Sequence, residues 1–239
     1  MLYYIKKQLG VGSVTKDNTK GQFFIRDRKK LEAVIFPIFD KYPLLTSKYF
    51  NYFKFKQAFY ILENASLTKD EKDQKLFVLK DQSIPENYIS PAWNNINLPL
   101  KTINDVTNVM TKPWLVGFIE AEGSFYLVSK TSTRIVHGFG LTQKLDSIVL
   151  QGIKLTLHIP TAVKFRAKHN FYLLDTSNSR AIENIIEYFH NTMKGMKSLE
   201  FKLWSKSNFY NKKGDIDKVN KIQKTILKLL KKSRLIARP

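Results

Sequence analysis

Pro113-Trp-Leu-Val-Gly-Phe-Ile-Glu-Ala-Glu-Gly-Ser-Phe125 predicts a short helix that runs straight into a strand. Pro113 suits the first helical turn, where its missing N–H costs nothing, and Thr111 is placed to cap that turn. Gly123 reads as the stop, because glycine tolerates the left-handed backbone that ends many helices. Ser124-Phe-Tyr-Leu-Val128 then has strand character. Gly117 and Ala121 lie four apart, so they share one helix face and leave it nearly flat. A flat face lets another helix backbone come close; without that gain, a glycine inside a helix is a loss. Glu122 puts a carboxylate at the helix C-terminus, where the macrodipole is already negative. A divalent cation would relieve that, and magnesium is usually held by carboxylates.

Working outward, the 239 residues allow one large domain or two smaller ones. Hydrophobic residues make up 43%, enough for a real core. No apolar run nears the roughly 18 residues of a membrane span. Met1-Leu-Tyr-Tyr-Ile-Lys-Lys7 lacks the layout of a secretory signal. With no cysteine, disulfides, thiolate zinc sites and thiol nucleophiles are excluded, and the four histidines show no metal-ligand spacing. Forty Lys and Arg face twenty Asp and Glu, a net charge of +20. That excess points to a polyanion, and nucleic acid is the commonest one. An anionic membrane would instead want a basic amphipathic segment standing apart from the fold. Richness in Lys, Asn, Ile, Phe and Tyr suits an AT-rich organellar genome, so a mitochondrial origin is expected.

Along the chain, 2–9 reads as the end of a helix. Strands are expected over 11–16 and 22–27, joined by the turn signal Asn18-Thr-Lys-Gly21. Helical spacing covers 29–42, with Pro37 kinking or splitting it, and resumes over 49–63. Thr68-Lys-Asp-Glu71 is a capping box opening a helix to about Lys80. Residues 81–112, rich in Pro and Asn, read as a linker that Trp93 and Leu98 hold against the body. Beyond the Pro113 helix, strands are expected over 124–130, 134–143, 161–168 and 171–176. The 124–130 and 134–143 strands turn at Thr131-Ser-Thr133. Helices are expected over 146–157, 179–192 and 198–208, then, after a break at 194–197 and a cap at Asp215, a last helix.

Leu115-Val-Gly-Phe-Ile-Glu-Ala-Glu-Gly123 resembles the LAGLIDADG motif of homing endonucleases and intron maturases. The resemblance implies an α+β fold of duplicated αββαββα units, each laying an antiparallel sheet on DNA. It implies a monomer with a pseudo-twofold axis, where two motif helices touch through residues such as Gly117, Ala121 and Gly123. The second-to-last acidic residue of each helix, here Glu122 in place of the usual Asp, would hold catalytic Mg2+. Glu120 matches an acidic position that is usually not a ligand.

An internal repeat agrees with duplication. Phe23-Phe-Ile-Arg-Asp27 returns 148 residues later as Phe171-Tyr-Leu-Leu-Asp175. Lys48-Tyr-Phe-Asn51 returns 149 residues later as Lys197-Ser-Leu-Glu200. The position 148 before Glu122 falls ahead of Met1. Residues 1–80 are therefore expected to be a partial first repeat lacking its motif helix and first hairpin. Residues 81–112 are the linker and 113–239 the complete second repeat. An active site short of one carboxylate is the expected consequence.

The DNA-facing residues follow from alternation. In 163–168, Val163, Phe165 and Ala167 are expected inward, and Lys164, Arg166 and Lys168 outward. Phe23 and Ile25 are expected inward; Gln22, Phe24 and Arg26 outward, with Arg28 just beyond. Ser124, Tyr126 and Lys130 oppose Phe125 and Leu127, and Arg134 and Lys144 flank the next strand. The major groove accepts such a β-ribbon, and Arg26 and Arg166 can pair bidentately with guanine. The resemblance also implies roles for a glutamine at the second strand's end and a lysine after the long helix. Gln143 matches the first as a water-network residue; Lys197 matches the second, with Lys48 its counterpart. The family's basic residue four positions after the glutamine is Ser147 here, a departure.

Two functions fit that resemblance. One is an intron-encoded homing endonuclease that hydrolyses DNA phosphodiesters and leaves four-base 3′ overhangs. The other is a maturase of the same fold that binds group I intron RNA and assists splicing without cutting DNA. A basic RNA-binding or ribosomal protein is a third reading, and it leaves the run Gly117, Ala121, Glu122 and Gly123 unexplained.

Overall fold

The computed structural model describes residues 1–17, 20–131, 133–195 and 197–237, with side chains described through residue 230. Asn18 and Thr19 of the first turn, Ser132 of the second and Met196 of the 194–197 break lie outside the described residues.

The first helix, α1 (Leu2–Leu9), stops at Gly10, whose φ of 68° is the left-handed stop glycine favours. Strands β1 (Ser13–Lys16) and β2 (Gly21–Phe24) pair antiparallel, Val14 opposite Phe23. Both are shorter than alternation predicts. The return strand ends because Asp27 leaves it to cap the next helix, accepting from the Lys30 N–H at 3.2 Å. That helix begins as α2 (Arg28–Lys30), widens to a π-turn over Leu31–Ile35 and continues as α3 (Phe36–Lys41). Pro37 therefore does not split it. The Phe36 N–H reaches back five residues to the Leu31 carbonyl, and the widened turn makes room for the proline ring.

Next come α4 (Lys48–Glu63) and α5 (Lys69–Asp81), the latter opened by the capping box. Thr68 accepts from the Glu71 N–H at 3.3 Å, and Glu71 accepts from the Thr68 N–H at 2.8 Å. Phe36 of α3 and Tyr52 and Phe59 of α4 form a small aromatic core. The stretch that follows is anchored as expected by Trp93, which is buried and donates its indole N–H to the Leu45 carbonyl at 2.9 Å. Leu98 does not help: it is 49% exposed. Trp93, together with Val106 of α6 (Asn104–Thr107) and Met110, already fills the contact with Gly152 of the helix after the main sheet's first hairpin.

The quoted stretch forms α7 (Lys112–Glu122), with Thr111 accepting from the Trp114 N–H at 3.4 Å. Leu115 and Ile119 are fully buried. The helix leads into β3 (Ser124–Ser129), which pairs with β4 (Ile135–Gln143). With β5 (Lys164–Arg166) and β6 (Phe171–Thr176) they make an antiparallel sheet in the order β3-β4-β6-β5. Its inner face, Phe125, Phe139, Leu141 and Leu174, is sealed by α8 (Ser147–Thr156), α9 (Ser179–Phe189) and α10 (Lys197–Lys212). Phe125 lies 5.0 Å from the Trp204 ring of α10, and each fully buried side chain of this kind contributes roughly 1.5–3 kcal/mol. The last helix, α11 (Ile216–Ala237), leans on the β3 edge, where Gln223 donates to the Leu127 carbonyl at 3.1 Å. Asp215 caps it, accepting from the Lys218 N–H at 3.1 Å.

The fold is α+β. The order helix, hairpin, helix, helix, helix occurs twice: α1, β1, β2, α2–α3, α4, α5, then α8, β5, β6, α9, α10, α11.

Candidate functional site

Helix α7 and strand β4 bring Glu122 and Gln143 to one end of the main sheet. There α7 delivers β3, and β4 runs antiparallel so that it finishes where β3 begins. Ser124 faces Gly140, so Gln143, the last residue of β4, lies beyond it toward Glu122.

The two carboxylates of the motif have different fates. Glu120 accepts hydrogen bonds from two successive backbone N–H groups, Lys194, and Gly195 at 2.6 Å. It ties α7 to the loop before α10. Glu122 is exposed at the helix tip and makes no hydrogen bond or ion pair among the described residues. Gly123 does not stop the helix by a left-handed turn, as the sequence suggests; its φ of −68° is ordinary. Space is the reason for glycine here. A Cβ would sit 2.7 Å from both the Ile119 carbonyl oxygen and its side chain. Gly117 and Ala121 are exposed, and no atom lies within 4 Å of a Cβ placed on Gly117. The flat face of α7 stands open.

Lys197 starts α10, half-buried, and acts on Glu200 one turn on. Glu200 accepts from the Phe125 N–H at 3.3 Å. Burial pushes its carboxyl up, and Lys197 and that N–H pull it part-way back. On the other flank, Asp146 accepts from the Ser47 N–H at 2.6 Å and its hydroxyl at 2.9 Å. Lys48 is next in the chain and exposed. Burial raises the Asp146 carboxyl, and Ser47 and Lys48 oppose the rise. Sequence reasoning missed Glu200 and Asp146. Glu200 had a signal, since Lys197 three residues earlier lies on the same helix face; Asp146 had none, because its partner is 99 residues away.

The sheet's outer face is set by the register. Ser124, Tyr126 and Val128 of β3 stand with Gly138, Gly140 and Thr142 of β4, Leu173 and Asp175 of β6, and Lys164 and Arg166 of β5. Lys130 and Arg134 sit at the far hairpin, where the Lys130 N–H donates to the Arg134 carbonyl at 2.8 Å. Lys144 is exposed just past β4. The expectation for 163–168 needs correcting. β5 is three residues long, and a 3-10 turn over Ala167–His169 takes Lys168 out of the alternating set. Phe165, expected inward, is 52% exposed on the edge strand β5; its ring meets Tyr172 at 5.0 Å. In the small sheet, Gln22 and Phe24 share the outer face, and the Arg26 guanidinium lies 4.7 Å from the Phe24 ring. Arg28 is in a helix and paired with Glu63 at 2.7 Å.

The LAGLIDADG endonuclease family model matches residues 1–59 and 115–208. The chain belongs to this family. A curated relative, a probable intron-encoded endonuclease named Cox1-I1b from Schizosaccharomyces pombe, is 39% identical over 214 residues, covering 87% of this chain and 52% of its own length. An uncharacterized mitochondrial protein, RF1 of Saccharomyces cerevisiae, is 35% identical over 153 residues, covering 63% of this chain and 29% of its own length. The chain thus spans about half, or less, of the length of these two relatives. Among solved structures, I-SmaMI bound to uncleaved DNA target in the presence of calcium ions superposes with a TM-score of 0.74 at 21% identity. That match covers 93% of this chain and 82% of the other, and it speaks for the shared fold.

Proposed function

We propose that this chain is the DNA-binding and half-catalytic body of an intron-encoded homing endonuclease. The reaction is metal-dependent hydrolysis of DNA phosphodiesters, giving a site-specific double-strand break. The observation that carries this reading is the pair of fates on α7: Glu120 is spent on backbone N–H groups, while Glu122 stands free beside an open small-residue face. Residues 1–80 act as a partial first repeat, 81–112 as a packed linker, and 113–239 as a second repeat related to the first by a pseudo-twofold axis within a monomer. A mitochondrial origin is supported by the description of one relative, RF1, as a mitochondrial protein.

The donors fit a divalent ion in part. Glu122 is a hard, unpaired oxygen ligand suited to Mg2+, but no group of three His, Cys, Asp or Glu side chains assembles among the described residues. One carboxylate is half of a shared site, and a second motif helix docked on Gly117 and Ala121 would bring the other. When bound, such an ion lowers the pKa of water and stabilises the leaving oxygen. The chain's own residues do the rest. Lys197 supplies positive charge near the scissile phosphate, with Lys48 its counterpart across the axis. Gln143 orients water by its amide. The basic sheets hold the duplex and exclude competing registers.

The same half-complete donor set also suits a maturase that binds group I intron RNA and does not cut. Incubating the complete protein, with the second motif helix included, with Mg2+ and a plasmid bearing its uninterrupted insertion site separates the two. Cleavage is expected from the wild type, and Glu122→Gln should still bind the plasmid without cutting it. A Glu122→Gln protein that cuts at the wild-type rate would overturn the assignment, and splicing of the host intron rescued without any cleavage would favour the maturase.

A further inference from the structure

We propose that Asp175 is a base reader at the middle of the main sheet, accepting a hydrogen bond from the exocyclic amine of one cytosine in the major groove. The inference rests on the DNA-binding reading above and adds a specificity residue to it.

Register and space place the side chain. Asp175 lies opposite Gly140 in the β4–β6 ladder. A Cβ built on Gly140 would lie 3.8 Å from the Asp175 Cβ and 3.5 Å from the Tyr126 ring. Both side chains therefore stand on the outer face, above a strand with no side chain there. The neighbours Leu174 and Thr176 point into the core and are buried. Tyr126 lies across Gly138 as well, so closely that a Cβ there would overlap its ring. The ring walls one side of Asp175, and burial, then Asp175, raises its phenol.

The Asp175 carboxylate makes no hydrogen bond or ion pair among the described residues. In a chain of forty cations and net charge +20, an unpaired anion on the face turned to a polyanion is a cost. A hydrogen-bond donor on the ligand offsets it. Phosphates carry no donor, and the phosphate-reaching cations sit at the margins: Lys164 and Arg166 on the edge strand, Lys130 and Arg134 at the hairpin. The middle of a β-ribbon in the major groove meets base edges. There cytosine shows its N4 amine, whereas adenine sets its N7 acceptor beside its amine and would repel a carboxylate. A-form RNA hides this edge in a groove too narrow to enter, so a double helix read in this way is DNA.

The test is selection of duplexes from a randomised pool by the full chain, wild type and Asp175→Asn. The wild type is expected to select cytosine at one position by roughly tenfold to a hundredfold, the discrimination of a good side-chain–base contact. Asn offers a donor and an acceptor, so the variant should shift that position toward adenine and leave the others alone. A second measurement keeps the protein constant. N4-methylcytosine at the selected position blocks the amine's groove-facing hydrogen and should weaken wild-type binding about tenfold, with no effect on Asp175→Asn. Identical profiles for the two proteins, or indifference of the wild type to the methyl group, would overturn the inference while leaving DNA binding intact. Failure of the wild type to retain any duplex would instead overturn the DNA reading on which it rests.

Discussion

Glu120 and Glu122 are two residues apart, share one side-chain chemistry and have opposite surroundings. The difference lies in helix geometry: residues two apart do not face the same way, so one carboxylate meets the 194–195 backbone and the other meets solvent. His137 shows the same dependence on surroundings. It is buried with its Nε2 2.7 Å from the Ser207 hydroxyl, which itself donates to the Trp204 carbonyl at 2.7 Å. Burial lowers its pKa from 6.5 to about 4. The folded state therefore binds fewer protons than the unfolded state between these values, and its stability falls as pH drops below the unfolded value. Between pH 7 and pH 5 this one group should cost about 2 kcal/mol. Melting temperatures of wild type and His137→Gln across that range check it. The variant's melt should be less steeply pH-dependent, whatever its absolute stability.

At the level of elements, glycines decide where backbones and rings meet. Gly152 lets α8 touch Met110 and Val106, and Gly138 lets the Tyr126 ring lie flat on β4. Gly138→Ala would force that ring off the strand at a cost of about 1–3 kcal/mol, as overpacking does. Chemical denaturation should show the loss, and duplex selection should show weakened discrimination at the position read beside Tyr126. The edge strand β5 illustrates the limit of alternation. Period 2 orders inward and outward only while a strand lasts and a layer covers its inner side. Here the strand turns after Arg166, and Phe165 is left half-exposed.

Across the whole molecule, Asp146 with Ser47 is a part-buried polar link between the halves. It links the start of α8 to the start of α4 beside Lys48, so it positions the two flanks of the candidate site as well as the halves. Asp146→Ala removes both bonds and should cost about 2–4 kcal/mol; Ser47→Ala removes only the hydroxyl's bond and should cost about 1 kcal/mol. Urea unfolding of the single and double variants measures this, and a coupling near zero would mean that Asp146 and Ser47 do not act as one link.

The sequence by itself determined the motif helix, its strand, the repeated order of elements and the charge that selects a polyanion. These are local or summed properties: caps, period and composition need no knowledge of distant neighbours. The Gly123 backbone was misread, and the choice at Pro37 stayed open, because each has two local solutions and packing picks one. Only the tertiary structure decided which motif carboxylate is free, that Glu200 meets the Phe125 N–H 75 residues away, that Asp146 holds Ser47, and that Asp175 stands unpaired over a glycine strand. Each of those depends on burial and partners that the chain brings together from far apart. No short window of residues contains both members of such a contact.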